Sequence, residues 1–147
     1  MLPSEEVVSE LTRIVWSTML GLDAEEGHEP AEAAAFVTSV DISGAWEGTV
    51  SISFTRELAQ RVTAAMLASD LADATAADVS DVMRELANVV GGNVKGLFPG
   101  PCALSIPRLE PAVAAASTGT GSRSWFECGG QPFSVTVLER DGGRNAP

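Results

Sequence analysis

Basic residues are scarce. Nine Lys and Arg stand against twenty Asp and Glu in 147 residues, a net charge of −11. Such a field repels polyanions, and no local cluster of Lys and Arg offsets it, so nucleic acid is excluded as an expected partner. Cysteine and histidine are scarcer still. Cys102 and Cys128 form no CxxC pair, and His28 has no second His or Cys near it, so no metal site is expected. Both thiols fit a reducing compartment, buried as small apolar groups. No apolar run approaches the ~20 residues of a membrane span. The acidic start, MLPSEEVVSE, lacks the basic-then-apolar order of a secretion signal. A cytoplasmic protein without membrane association is expected. Also missing are GxxxxGK[ST], GxGxxG and GxSxG, which removes the most familiar phosphate-loop, dinucleotide and serine-hydrolase chemistries.

With 45% hydrophobic residues, the chain has enough apolar side chains and length for one real core. The spacing predicts a single domain over residues 1–139, followed by a polar, frayed tail from Arg140 to Pro147. Val7, Val8, Leu11, Ile14, Val15, Met19 and Leu22 recur at helical steps, predicting a helix from Glu5 to Leu22 with Ser4 as N-cap. Asp23 to Glu32 reads as an acidic loop. Phe36 to Ile42 and Thr49 to Phe54 alternate as a hairpin, and Thr55 caps a helix to Leu67. Thr75 and Asp78 have capping-box spacing ahead of a long helix, about Ala76 to Val94. Pro99-Gly100-Pro101 forces a turn before a strand over Cys102 to Leu109, with Cys102, Leu104 and Ile106 on one face and Pro107 favouring an edge or bulge. Ser117 to Ser124 reads as a loop. Trp125 to Cys128 and Phe133 to Glu139 form a second hairpin around Gly129-Gly130.

The chain also repeats itself. Glu10-Leu11-Thr12-Arg13-Ile14-Val15 aligns with Glu85-Leu86-Ala87-Asn88-Val89-Val90, and without a gap Gly21-Leu22 aligns with Gly96-Leu97. Thr49 to Ser53 likewise matches Ser134 to Leu138. Two helix-plus-strand halves related by a pseudo-twofold axis account for this pattern. Arg13 stands where the second copy has Asn88.

On the long helix, Val79, Val82, Met83, Leu86, Val90 and Val94 gather on one side, while Asp78, Asp81, Glu85 and Asn88 gather about 150° away. Glu85 and Asn88, one turn apart, project together from a stiff platform. A carboxylate beside a carboxamide is a poor nucleophile and a poor metal site. It suits water positioning by the amide and cation pairing by the acid, with metal and phosphate supplied by a partner. Gly91 and Gly92 lie one turn further on, where missing side chains would let another surface approach. The plain alternative is an ordinary solvated helix face. Glu57-x2-Gln60, Arg84, Lys95 and His28 are read that way, Asn93 as a buried hydrogen-bonding or helix-ending residue, and the three tryptophans as core or subunit contacts.

Asp81-x3-Glu85-x2-Asn88, followed after twenty-two residues by Pro111, resembles the pattern of the CheC/CheX/FliY chemotaxis phosphatases. The run Glu85 to Asn93 and the hairpin from Cys128 to Phe133 are most like the CheX branch. The resemblance implies an α+β fold of two pseudo-repeated halves, each a helix with antiparallel strands, around a long central helix. It further implies a phosphatase acting on the aspartyl phosphate of a CheY-type receiver domain. Asn88 would position the attacking water, Glu85 would pair with the receiver's lysine, and Asp81, Gly91, Gly92 and Pro111 would support docking. Mg²⁺ would come from the receiver, with no cofactor held by the chain itself. CheC- and FliY-type proteins can carry the acid-amide pair in both halves; Arg13 leaves one active helix here. A homodimer through the sheets is implied, with Cys102 to Leu109 and Phe133 to Glu139 as pairing strands. The alternative function is a non-catalytic adaptor binding a receiver or another signalling domain by the same helix.

Overall fold

A computed structural model describes residues 2–112 and 120–140. Helix α1 (Glu5–Val15) continues as one π-helical stretch, Trp16–Leu20, and α2 (Arg56–Leu67) and α3 (Ala76–Lys95) follow. Among the described residues seven strands form one antiparallel sheet: β1 (Glu25–Glu26), β2 (Phe36–Gly44), β3 (Gly48–Phe54), β4 (Cys102–Leu104), β5 (Arg108–Pro111), β6 (Thr120–Cys128) and β7 (Gln131–Glu139). Their order is β1-β6-β7-β3-β2-β4, with β5 also on β2. The fold is α+β, with the helices on one face of the sheet. Among the described residues no helix is long and apolar enough to cross a membrane.

The strand order carries the repeat. Strand β1, after α1, crosses to pair with β6 of the second half; β4 and β5, after α3, cross to pair with β2 of the first. Between the halves, β3 pairs with β7 in a register that sets Ser51 opposite Thr136. These two residues are equivalent in the Thr49–Ser53 and Ser134–Leu138 alignment, so the pseudo-twofold axis passes between them.

The core lies between sheet and helices. Val40, Ile42, Val50, Ile52, Phe54, Phe126, Phe133, Val135 and Val137 face inward against Trp16, Leu58, Val62, Met83, Leu86 and Val90. Trp16 stacks on Phe133 with ring centroids 4.3 Å apart, and Phe133 stacks on Phe126 at 4.9 Å. At the position equivalent to Trp16, α3 has Gly91, where a Cβ would meet Val40 Cγ2 at 2.4 Å. The indole therefore holds α1 off the sheet, while the missing side chain lets α3 lie close against it.

The opposite face of the sheet is polar. Ser39 bonds to Ser51 at 3.0 Å, and Ser53 bonds to Ser134. Beside them Asp41 accepts two hydrogen bonds from Arg108, at 2.9 and 3.2 Å, and one from Thr49 at 2.8 Å. Burial alone would raise the Asp41 carboxyl, but the bonds from Arg108 and Thr49 and the charges of Arg108 and Arg140 outweigh it and hold it below its ordinary value.

Several sequence expectations are corrected. The first helix ends its α-helical part at Val15, and Val7 and Ile14, assigned to its apolar stripe, are 41% and 52% exposed. The acidic loop contains β1. The strand expected over Cys102 to Leu109 breaks at Ser105-Ile106-Pro107, where Pro107 lacks an N–H and Ser105 caps the backbone N–H of Asp41. Ile106, grouped on one face with Cys102 and Leu104, parts from them at this break and is 88% exposed. Strand β6 begins at Thr120, inside the expected loop. Cys128 is buried, but Cys102 is only half-buried. Strand β7 is paired on both sides, with β3 and β6, so it has no free edge for a second subunit. Arg140 is tied down by a bond from its N–H to the Glu47 carbonyl at 2.9 Å; the rest of the expected tail lies outside the described residues.

Candidate functional site

The platform is α3. Thr75 accepts from the Asp78 N–H at 3.1 Å while the Asp78 carboxylate accepts from the Thr75 N–H at 3.1 Å, closing a reciprocal cap. Asp78 in the first turn and Lys95 in the last both complement the helix dipole. Buried Val82, Met83, Leu86, Ala87, Val90, Gly91 and Val94 fix the rotation of the helix against the sheet and α2. That anchoring leaves Asp81, Glu85 and Asn88 together on the outer face, all exposed. Among the described residues their side chains make no hydrogen bond or ion pair, so both the acid and the amide are available to a partner.

The rival pair differs. Glu57 is bound by Arg61 at 2.6 Å, and the Gln60 amide reaches the Ala74 carbonyl at 3.4 Å. Each of the two is thus already engaged within the fold, unlike Glu85 and Asn88.

Gly91 does not open the outer face. It is buried beneath Val40, and the close approach it permits is internal. Gly92 is half-buried, with only Leu104 Cδ1 within ordinary contact of an added Cβ, at 3.9 Å. Pro111 ends β5 opposite Phe36 and is exposed, on a strand that packs against α3. Asn93 is exposed rather than buried, and its amide bonds back to the Val89 carbonyl at 2.8 Å. Arg84 is exposed beside Glu85, Lys95 is half-buried and His28 is exposed. Trp16 and Trp46 belong to the core, whereas Trp125 lies half-buried beneath Arg123, on the polar face. Among the described residues no group of three or more His, Cys, Asp or Glu could hold a metal ion.

Residues 36–115, which include α3 and Pro111, match the family model for the chemotaxis phosphatase CheX. The chain belongs to the CheX family. Among solved structures, the chemotaxis protein CheX of Vibrio vulnificus superposes with a TM-score of 0.76 at 16% identity, covering 92% of this chain and 95% of that one. CheX of Desulfovibrio desulfuricans gives 0.75 at 20% identity, over 92% and 97% of the two chains. A CheX solved in complex with CheY, BeF3 and Mg²⁺ from Borrelia burgdorferi gives 0.72 at 15% identity, over 96% and 100%. At these identities the superpositions establish the shared CheX fold. Among curated proteins none matches the chain.

Proposed function

We propose that this CheX-family chain accelerates hydrolysis of the aspartyl phosphate on a CheY-type receiver domain. The observation that carries the reading is the free acid-amide pair, Glu85 and Asn88, one turn apart on an anchored twenty-residue helix. The Borrelia burgdorferi CheX structure, solved with CheY, BeF3 and Mg²⁺, supports the choice of partner. Glu85 pairs with a lysine on the receiver and fixes the docking register. The Asn88 amide, with both an acceptor and a donor, orients a water for in-line attack on phosphorus. The bond between phosphorus and the receiver's carboxylate oxygen breaks, releasing inorganic phosphate and the free aspartate. Mg²⁺ belongs to the receiver, and the chain contributes positioning rather than a covalent intermediate.

The test follows decay of a phosphorylated receiver with and without the protein. Asn88→Ala lowers the acceleration by about 10²-fold, as for loss of other transition-state positioning groups. Equal rates for wild type and variant reject the mechanism. Binding of a beryllofluoride-loaded receiver without any acceleration by the wild type favours the adaptor function.

The assembly belongs to the same proposal. The chain pairs as a homodimer through the open edge formed by β4 and β5, where Ile106 is exposed. Sedimentation gives a dimer, and Ile106→Asp shifts it toward monomer; an unchanged dimer moves the interface elsewhere.

A further inference from the structure

We infer that the exposed face of α1 is a second docking surface for an activated receiver, one that holds the receiver without hydrolysing it. The inference rests on the proposed role of α3 and extends it to the other half of the pseudo-dimer. At the offset that aligns Glu10 with Glu85, Glu6 falls on Asp81 and Arg13 on Asn88. All three α1 residues are exposed. The fold keeps them in equivalent settings, since α1 packs over β6 and is followed by β1 on that strand, as α3 packs over β2 and is followed by β4.

Among these three positions, the side chain that changes its chemical class is Arg13. A guanidinium has only donors, so it cannot accept a hydrogen from water and cannot aim it as an amide does. What it gains is a fork that grips carboxylate or phosphoryl oxygens in pairs. A receiver pocket that binds Mg²⁺ is built from such oxygens. Arg13 makes no ion pair among the described residues, although the chain carries more than twice as many acids as bases. It also lines a cleft of about 320 Å³ between α1 and β6, with Ser9, His28 and Trp125.

The α1 face has apolar contact area that α3 lacks. Val7 and Ile14 are exposed within about 60° of Glu10 around the helix. Their counterparts Val82 and Val89 are buried and half-buried, on the helix that α2 covers. The α1 surface therefore combines an acid for the receiver's lysine, a cation for its carboxylates and apolar side chains beside both.

Titration calorimetry with the receiver identified by the hydrolysis assay, loaded with beryllofluoride and Mg²⁺, tests this. The wild type binds two receivers per chain, and Arg13→Glu and Glu85→Lys each bind one. Arg13→Asn, which restores the amide, raises hydrolysis per chain about twofold at saturating receiver. One site per wild-type chain, lost in Glu85→Lys and kept in Arg13→Glu, overturns the inference and leaves the α3 proposal standing. One site lost only in Arg13→Glu upholds the α1 surface and overturns the α3 one. No binding at all overturns both.

Discussion

Gly91 and Gly92 are neighbours in sequence with different surroundings. An added methyl at Gly91 meets the side chain of Val40, whose branching leaves little rotamer freedom to yield. Overpacking of about 1–3 kcal/mol then exceeds the ~1 kcal/mol of helix propensity gained, so Gly91→Ala lowers the melting temperature. At Gly92 the space is open and Gly92→Ala raises it, by the equivalent of about 0.5–1 kcal/mol. Thermal unfolding of the two variants checks both signs. Asp41 shows a similar dependence on its immediate neighbours. Its folded pKa lies below the unfolded value, so its stabilisation is complete above about pH 4 and is lost as pH falls through the folded value. Asp41→Asn flattens the acid limb of a plot of urea midpoint against pH, by less than about 1 kcal/mol because the pair with Arg108 is partly exposed. Burial raises the Cys128 thiol, against a weaker lowering by the Trp16 indole and the Arg61 charge. Iodoacetamide therefore labels half-buried Cys102 in the native protein and reaches Cys128 only after unfolding, as mass spectrometry will show.

Among the elements, α3 was the most legible, because cap, apolar stripe and polar stripe all pointed to the same helix. Thr75→Ala removes half of the reciprocal cap and costs about 1 kcal/mol in chemical denaturation. The weakly periodic elements were not legible. Strand β1 is two glutamates, held by pairing with β6 rather than by any preference of their own. The start of β6 is Thr, Gly and Ser, a loop-like composition, yet Gly121 is required where a Cβ would strike the Val137 carbonyl and Leu138. On α1 the 3.6-residue period correctly predicted a helix but overestimated its buried arc, since Val7 and Ile14 fall at the margin of the stripe and find no cover. For the candidate site, spacing located Asp81, Glu85 and Asn88 on one face. The inward direction of Gly91 depends on which strand lies beneath α3, and that is set by long-range pairing.

At the scale of the molecule, each half lends its trailing strands to the other, and the two hairpins meet along the β3–β7 seam. Sequence repetition indicated the two halves but not the exchange, and the family resemblance offered β7 as a subunit-pairing strand although it lies inside the sheet. The seam joins residues about eighty to ninety positions apart. On a ribosome adding roughly 5–20 residues per second, β3 residues therefore emerge about 4–18 s before their partners on β7. For that interval Val50, Ile52 and Phe54 lie on a strand with one bare flank, in a nascent chain whose own closing partner does not yet exist. Slower translation between residues 55 and 131 lengthens the exposure of that flank, so the aggregated fraction of newly made chain is expected to rise with it.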